Sequence, residues 1–233
     1  MKWLQAAVVA VLVSGCGGAT SLSLSVRAGA PRTGAQAQLA QRLEVASGVD
    51  IDRVRILIRD LELEPLEGKD GSEEDDEEIE AGPFLVDLSG AALAGDVQKV
   101  LEADVPAGRY RKVKFKIDTL EEDETALDAS FDALREQQAS VLIEGTVDGE
   151  TFSFAAELDV EQEFEADLGL DAGAGNLTLN VDPTGWFTAA DGSRLDPRLS
   201  ESRAKIVENL KHSLDVVEDH DRDGDEDSHE SED

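Results

Sequence analysis

The chain has 233 residues, and its 53 Asp and Glu against 21 Lys and Arg give a formal net charge of −32. Such a surface repels phosphate backbones and excludes nucleic acid as a partner, whereas divalent cations and basic surfaces suit it. Hydrophobic residues still make up 40% of the chain, enough for a packed core, so one domain flanked by tails is expected.

Residues 1–15 read as a lipoprotein signal peptide. One lysine precedes an apolar run over residues 4–13, too short for a membrane anchor and of the length of a signal-peptide core. The run ends in Val13-Ser14-Gly15-Cys16, which resembles a bacterial lipobox, where the cysteine is acylated and becomes the first mature residue. Cys16 is the single cysteine, so no disulfide can form within the chain. The competing reading is a plain secretory leader followed by a chance cysteine. Gly17 rather than an aspartate follows Cys16, which by analogy with lipoprotein sorting points to the outer membrane.

Residues 16–40 are small and polar and read as a lipidated tether. Within them SLSLSV alternates, so Leu22, Leu24 and Val26 can supply a first strand. Residues 41–197 read as a β-sandwich domain. Val54, Ile56 and Ile58 share one face and Arg53, Arg55 and Arg59 lie mostly on the other, giving a strand over residues 53–64 closed by Pro65. An acidic loop over residues 68–82 contains six consecutive acids at 73–78, which repel one another and cannot pack. Residues 84–88 read as a buried strand and 90–103 as a connection.

Pro106-Ala107-Gly108 forms a turn, and strict alternation follows over residues 109–117. Val113, Phe115 and Ile117 face inward; Lys112, Lys114 and Lys116 face outward. The lysine row fits an exposed face neutralised by the protein's own acids, with residues 73–80 as candidates. It also fits a docking stripe for anionic lipid or glycan. Residues 125–137 read as a short helix, with Thr125 as cap and Leu127, Phe131 and Leu134 on one face. Asp148-Gly149 between alternating runs marks a hairpin, its second arm carrying Phe152, Phe154, Ala156 and Leu158 on one face. Strands follow at 162–170 and 176–181. The pair Trp186-Phe187 caps the open end of the sandwich or serves as a ligand platform. Residues 198–218 read as an amphipathic helix, started by Asp196-Pro197 and striped by Ile206, Leu210, Leu214 and Val217.

The expected fold is mainly β: an antiparallel two-sheet sandwich, prealbumin- or Ig-like, with a short inserted helix and a C-terminal amphipathic helix. DRVRILIRDLELE, PFLVDLSG, VPAGRYRKVKFKI, VLIEGTVDGETFSF and NLTLNVDPTGWF, with the acidic end, together resemble a group of bacterial lipoproteins, myxobacterial ones especially, whose domain is similar to a prealbumin-like β-sandwich. The resemblance covers roughly residues 22–225. It implies a fold and an envelope location and carries over no catalytic residue.

The acidic tail, residues 219–233, contains DHDRDGDEDSHE. Acids stand at loop positions one, three, five, seven, nine and twelve (Asp219, Asp221, Asp223, Asp225, Asp227 and Glu230), with Gly224 at position six. This is the spacing of an EF-hand calcium loop, in which alternating carboxylates wrap a hard cation and the glycine permits the turn. Glu226 stands where an apolar residue normally pairs with a partner loop, and only three residues follow Glu230, so there is no exiting helix. Calcium in a defined loop, at an affinity of about 10⁻⁴ to 10⁻³ M, and diffuse counter-ion binding both remain open here. His212, His220 and His229 are too widely spaced to form a recognised chelating pair.

No enzyme is expected. The chain lacks a G-x-S-x-G elbow, has no histidine within residues 41–197, and is only 4% aromatic. Two readings follow. One is an outer-membrane lipoprotein that acts as a binding module for a glycan, peptide or envelope protein. The other is a structural envelope protein whose acidic loop binds calcium.

Overall fold

The computed structural model describes residues 19–29, 43–66, 79–121, 127–170 and 175–219. It is a two-sheet β-sandwich, as the alternation of the sequence requires. The strands are β1 (Ala19–Ala28), β2 (Leu43–Ala46), β3 (Val49–Pro65), β4 (Ile79–Ala81), β5 (Phe84–Ser89), β6 (Gln98–Pro106) and β7 (Arg109–Ile117). They continue with β8 (Val141–Val147), β9 (Glu150–Ala156), β10 (Val160–Gly169), β11 (Gly175–Val181) and β12 (Leu214–Glu218). Two helices complete the set, α1 (Asp132–Gln137) and α2 (Ser200–Lys211).

The smaller sheet has the order β12-β11-β1-β6. The larger has eight strands, with the path β10-β7-β3-β8-β9 and β2, β4 and β5 also paired to β3. Pairing is antiparallel throughout except between β1 and β11, which run parallel. The common core takes Leu22, Leu24 and Val26 from β1 and Leu177, Leu179 and Val181 from β11. Opposite them lie Ile56, Ile58, Val113, Phe115, Ile143 and Phe154 of the larger sheet.

The 17-residue β3 is phased by two bulges. Ile51, Val54, Ile56, Ile58, Leu61 and Leu63 are all buried, although the steps from 51 to 54 and from 58 to 61 break strict alternation. The register slips at those two places, between Ile51 and Arg53 against β8 and between Ile58 and Asp60 against β7. A bulge adds one residue and so restores the inward phase. The β8–β9 hairpin turns at Asp148 and Gly149, both at positive φ (52° and 83°), the geometry for which Asp-Gly is favoured.

Several expectations change. Residues 98–106 are strand β6 and not a connection, and β2 carries no pattern long enough to have been read. The first strand within the expected tether segment is present and starts at Ala19, earlier than Leu22, while residues 16–18 and 30–40 of that segment lie outside the described residues. Part of the expected acidic loop, Ile79–Ala81, is strand β4 paired with Leu61–Leu63. The inserted helix is one and a half turns, preceded by a 3-10 turn over Ala129–Phe131 that Asp128 caps by accepting from the Ser130 amide. Its Phe131 and Leu134 pack with Leu57 and Leu142 on the outer face of the larger sheet. The C-terminal helix is only Ser200–Lys211, and residues 214–218 are strand β12. The β-branched pair Val216-Val217 favours a strand, and the edge of β11 offers unpaired backbone groups to satisfy.

The corner between the sheets is fixed by Tyr110. Its hydroxyl donates to the Pro106 carbonyl at 2.7 Å across the Pro106-Ala107-Gly108 turn, and its ring is buried. Burial raises its pKa above the ordinary phenol value. Tyr110→Phe deletes this bond and leaves a carbonyl at the corner short of its donor. It is expected to cost about 1 kcal/mol in urea unfolding with the m-value unchanged.

Candidate functional site

The lysine row of β7 is resolved by its two neighbours. Lys116, Lys114 and Lys112 stand opposite Asp60, Glu62 and Glu64 of β3 on one side. On the other they stand opposite Glu161, Glu163 and Glu165 of β10. The ammonium of Lys112 lies 3.4 Å from Glu64 and 2.5 Å from Glu163, that of Lys114 lies 3.3 Å from Glu62, and that of Lys116 lies 3.5 Å from Asp118. The row is therefore the centre of an acid–lysine–acid ladder. Its described carboxylates come from the flanking strands; of the expected partners at 73–80, residues 73–78 lie outside the described residues. With Arg111, which also pairs with Glu64, four cations stand among six carboxylates, so the described face is net negative and does not fit a docking stripe for anionic lipid or glycan. The hydrogen bond from Lys112 holds the Glu163 carboxyl below its ordinary pKa, and Glu163 raises that of Lys112.

Trp186 and Phe187 follow a 3-10 turn, Pro183–Gly185, that Asp182 caps. They are 1% and 0% exposed, and the Phe187 ring meets Phe152 edge-on with centroids 5.7 Å apart. The loop is tied to α2 by Asn209, whose amide nitrogen reaches the carbonyls of Gly185, Trp186 and Thr188 at 2.9–3.1 Å. An exposed ligand platform is thereby corrected: the pair is core, covering the end of the sandwich with apolar area that would otherwise meet water.

At that same end an ion-pair lattice joins three connections. Arg194 forks onto Asp148 with both nitrogens, at 2.8 and 2.9 Å, and donates to the Ser47 carbonyl. Arg198 joins Asp196 and Glu150. The β2–β3 turn, the β8–β9 turn and the segment leading into α2 are thus held together. Beside them Arg194, Leu195, Asp196, Leu199, Ser202 and Lys205 line an open hollow of about 460 Å³. Leu199 on its rim is 48% exposed, which no sequence pattern marked because it stands outside every periodic run.

Of the acidic loop only Asp219 lies among the described residues; Asp221, Asp223, Asp225, Asp227 and Glu230 lie outside them, as does Cys16. Asp219 is fully buried. Its carboxylate accepts from the Thr178 hydroxyl at 2.5 Å, its amide donates to the Asn176 carbonyl, and its carbonyl accepts from the Asn176 side chain at 2.8 Å. Asn176 in turn accepts from Ser23 and Ser25 at 2.8 and 2.9 Å. Asp219 therefore closes a polar ladder across β1, β11 and β12. His212 is exposed and lies 3.0 Å from Glu208. Among the described residues no three metal-ligating side chains come together, and no helix is long and apolar enough to cross a membrane.

Comparison with protein-family models, with curated proteins and with solved structures finds no match for the chain.

Two outcomes test this description. Trp186→Ala removes a fully buried indole and is expected to destabilise the fold by about 3–5 kcal/mol, read as a large fall in melting temperature. A small change there would show the pair to be surface. The acid limb is the second. Asp148, Glu163 and Asp196 have pKa values held low by Arg194, Lys112 and Arg198, so the native state prefers them ionised. Their contribution is complete above the unfolded carboxylate values of about 4 and is lost as pH falls through the depressed native ones. Melting temperature should fall steeply only below about pH 4, less steeply in Asp148→Asn.

Proposed function

We propose that the protein is a lipid-anchored envelope protein of the bacterial outer membrane whose β-sandwich is a binding module for a glycan, peptide or envelope protein. The observation that carries this reading is the position of β1. It begins three residues after Cys16 and is an interior strand of the smaller sheet. Acylation at Cys16 would hold the domain at the membrane and leave the Arg194–Arg198 end, with its hollow and half-exposed Leu199, turned away from it. A rigid, ion-paired shelf with an apolar rim is the kind of surface that can hold a partner at low entropic cost. The resemblance to bacterial lipoproteins supports the same location.

A second reading, a structural envelope protein stabilised by calcium, is favoured by Asp219. Its anchoring to Thr178 and Asn176 makes the acidic tail a direct continuation of β12. A cation held by Asp221, Asp223, Asp225, Asp227 and Glu230 would therefore act on the smaller sheet.

One set of measurements separates the readings. Cys16→Ser should move the protein from the membrane to the soluble envelope fraction; an unacylated wild type in the soluble fraction refutes the anchor. A photo-crosslinking residue at Leu199, in cells, should yield a discrete adduct that the same residue at Ser153 does not. The structural reading instead expects millimolar calcium, but not magnesium, to raise the melting temperature of the full chain, and Asp221→Asn with Glu230→Gln to abolish the rise.

A further inference from the structure

The ladder of the larger sheet stops on an acid row at an open edge. β10 pairs with β7 alone, and no described strand lies on its other side. Its residues 160–165 run in unbroken register against residues 112–117 of β7. Every second residue of a strand points to the same face, at a spacing of about 7 Å. Glu161, Glu163 and Glu165 therefore form one row alongside Lys116, Lys114 and Lys112. The three glutamates are exposed, whereas the lysines and Asp60, Glu62 and Glu64 of β3 are half-buried.

Within this row Glu163 is paired, to Lys112, while Glu161 and Glu165 meet no cation among the described residues. The cations of β7 are already shared with other acids: Arg111 and Lys112 with Glu64, Lys114 with Glu62 and Lys116 with Asp118. On the far side of β3, Glu80 of β4 stands opposite Glu62 and adds a further carboxylate. Across the sheet the order is thus Glu80, Glu62, Lys114, Glu163, and the sheet then ends. Cations are short at the edge where a further strand would add.

We infer that the open edge of β10 is a docking site for an extended basic segment of a partner protein, with Lys or Arg at alternate positions, which adds a strand to the larger sheet. Such a segment supplies backbone donors and acceptors to an edge that has no strand of its own. It also sets cations opposite Glu161, Glu163 and Glu165, as β7 already does from the other side. Charge selects this occupant. A net charge of −32 draws a basic segment in and turns an acidic one away. A second copy of the chain does not fit, because its β10 would bring glutamates against glutamates. A charged edge also guards a sheet against indiscriminate pairing; here the guard is of one sign and in register with a lysine row, so a basic strand is the one it does not repel. The surface is separate from the Leu199 shelf and does not depend on the lipid anchor.

The test titrates the full chain at physiological salt with two end-capped peptides of one composition, Lys-Thr-Lys-Thr-Lys-Thr and Lys-Lys-Lys-Thr-Thr-Thr. Both carry the same charge, so general attraction to an acidic protein is equal for them and only the alternation differs. The alternating peptide is expected to bind about tenfold more tightly and to slow hydrogen exchange in residues 160–165. Glu161→Gln combined with Glu165→Gln removes two side chains that meet no cation, so the melting temperature should hold while most of the preference for the alternating peptide is lost. Equal binding of the two peptides, no binding of either, or a preference that survives in the double variant overturns the docking site and leaves the acid row as a guard of the edge.

Discussion

The larger sheet depends on one strand. β3 pairs with β2, β4, β5, β7 and β8, so its register sets that of everything laid on it. A strand this long would slip by two residues at little cost if only apolar side chains specified it. The outward residues of β3 prevent that by changing sign along its length. Its first half presents Arg53 and Arg55, which meet Asp87 of β5 and Glu144 of β8 at 2.8 Å. Its second half presents Asp60, Glu62 and Glu64, which meet the lysines of β7. A two-residue slip would still bury the right faces, but it would leave Lys112 or Lys116 at one end of the ladder without the acid that now stands opposite it.

Charge is handled in the same way over the rest of the described surface. Exposed ion pairs contribute little individually, and the many pairs here do not explain how a chain of net charge −32 stays folded. Their effect is on placement. The described cations stand between strands and connections, where an acid would otherwise face an acid.

Much of this was legible in the sequence, and the exceptions have physical causes. β7 from Val113 onward, β9 and β11 alternate cleanly because one row of each is apolar and lies in the core. The Asp148-Gly149 turn is legible because so few residues accept positive φ at consecutive positions. β6 was missed because it is an edge strand with only Val105 fully buried, so its pattern is weak. β12 was read as helix because Ile206, Leu210, Leu214 and Val217 keep a helical spacing through Ser213, where the chain in fact turns. The lysine row was visible but its partners were not, since pairing to Glu62, Glu64 and Glu163 is a tertiary fact. The distal hollow was not legible at all, because Leu199, Ser202 and Lys205 become neighbours of Arg194 only once the loop before α2 has folded back.

The smaller sheet gives the molecule its direction. A lipoprotein domain on a long tether can present any face, so its lipid says nothing about where a partner binds. Here the first strand after Cys16 is held on both edges, and its outward serines are tied through Asn176 to Asp219, the residue at which the acidic tail begins. β1 and Asp219 therefore belong to one hydrogen-bonded ladder. In the proposed readings, a pull at an acylated Cys16 and a cation on the tail would act on the same strands, whereas the shelf around Leu199 lies at the other end of the sandwich. Under the proposed acylation of Cys16, this separation would commit one end to the membrane and leave the other free for recognition.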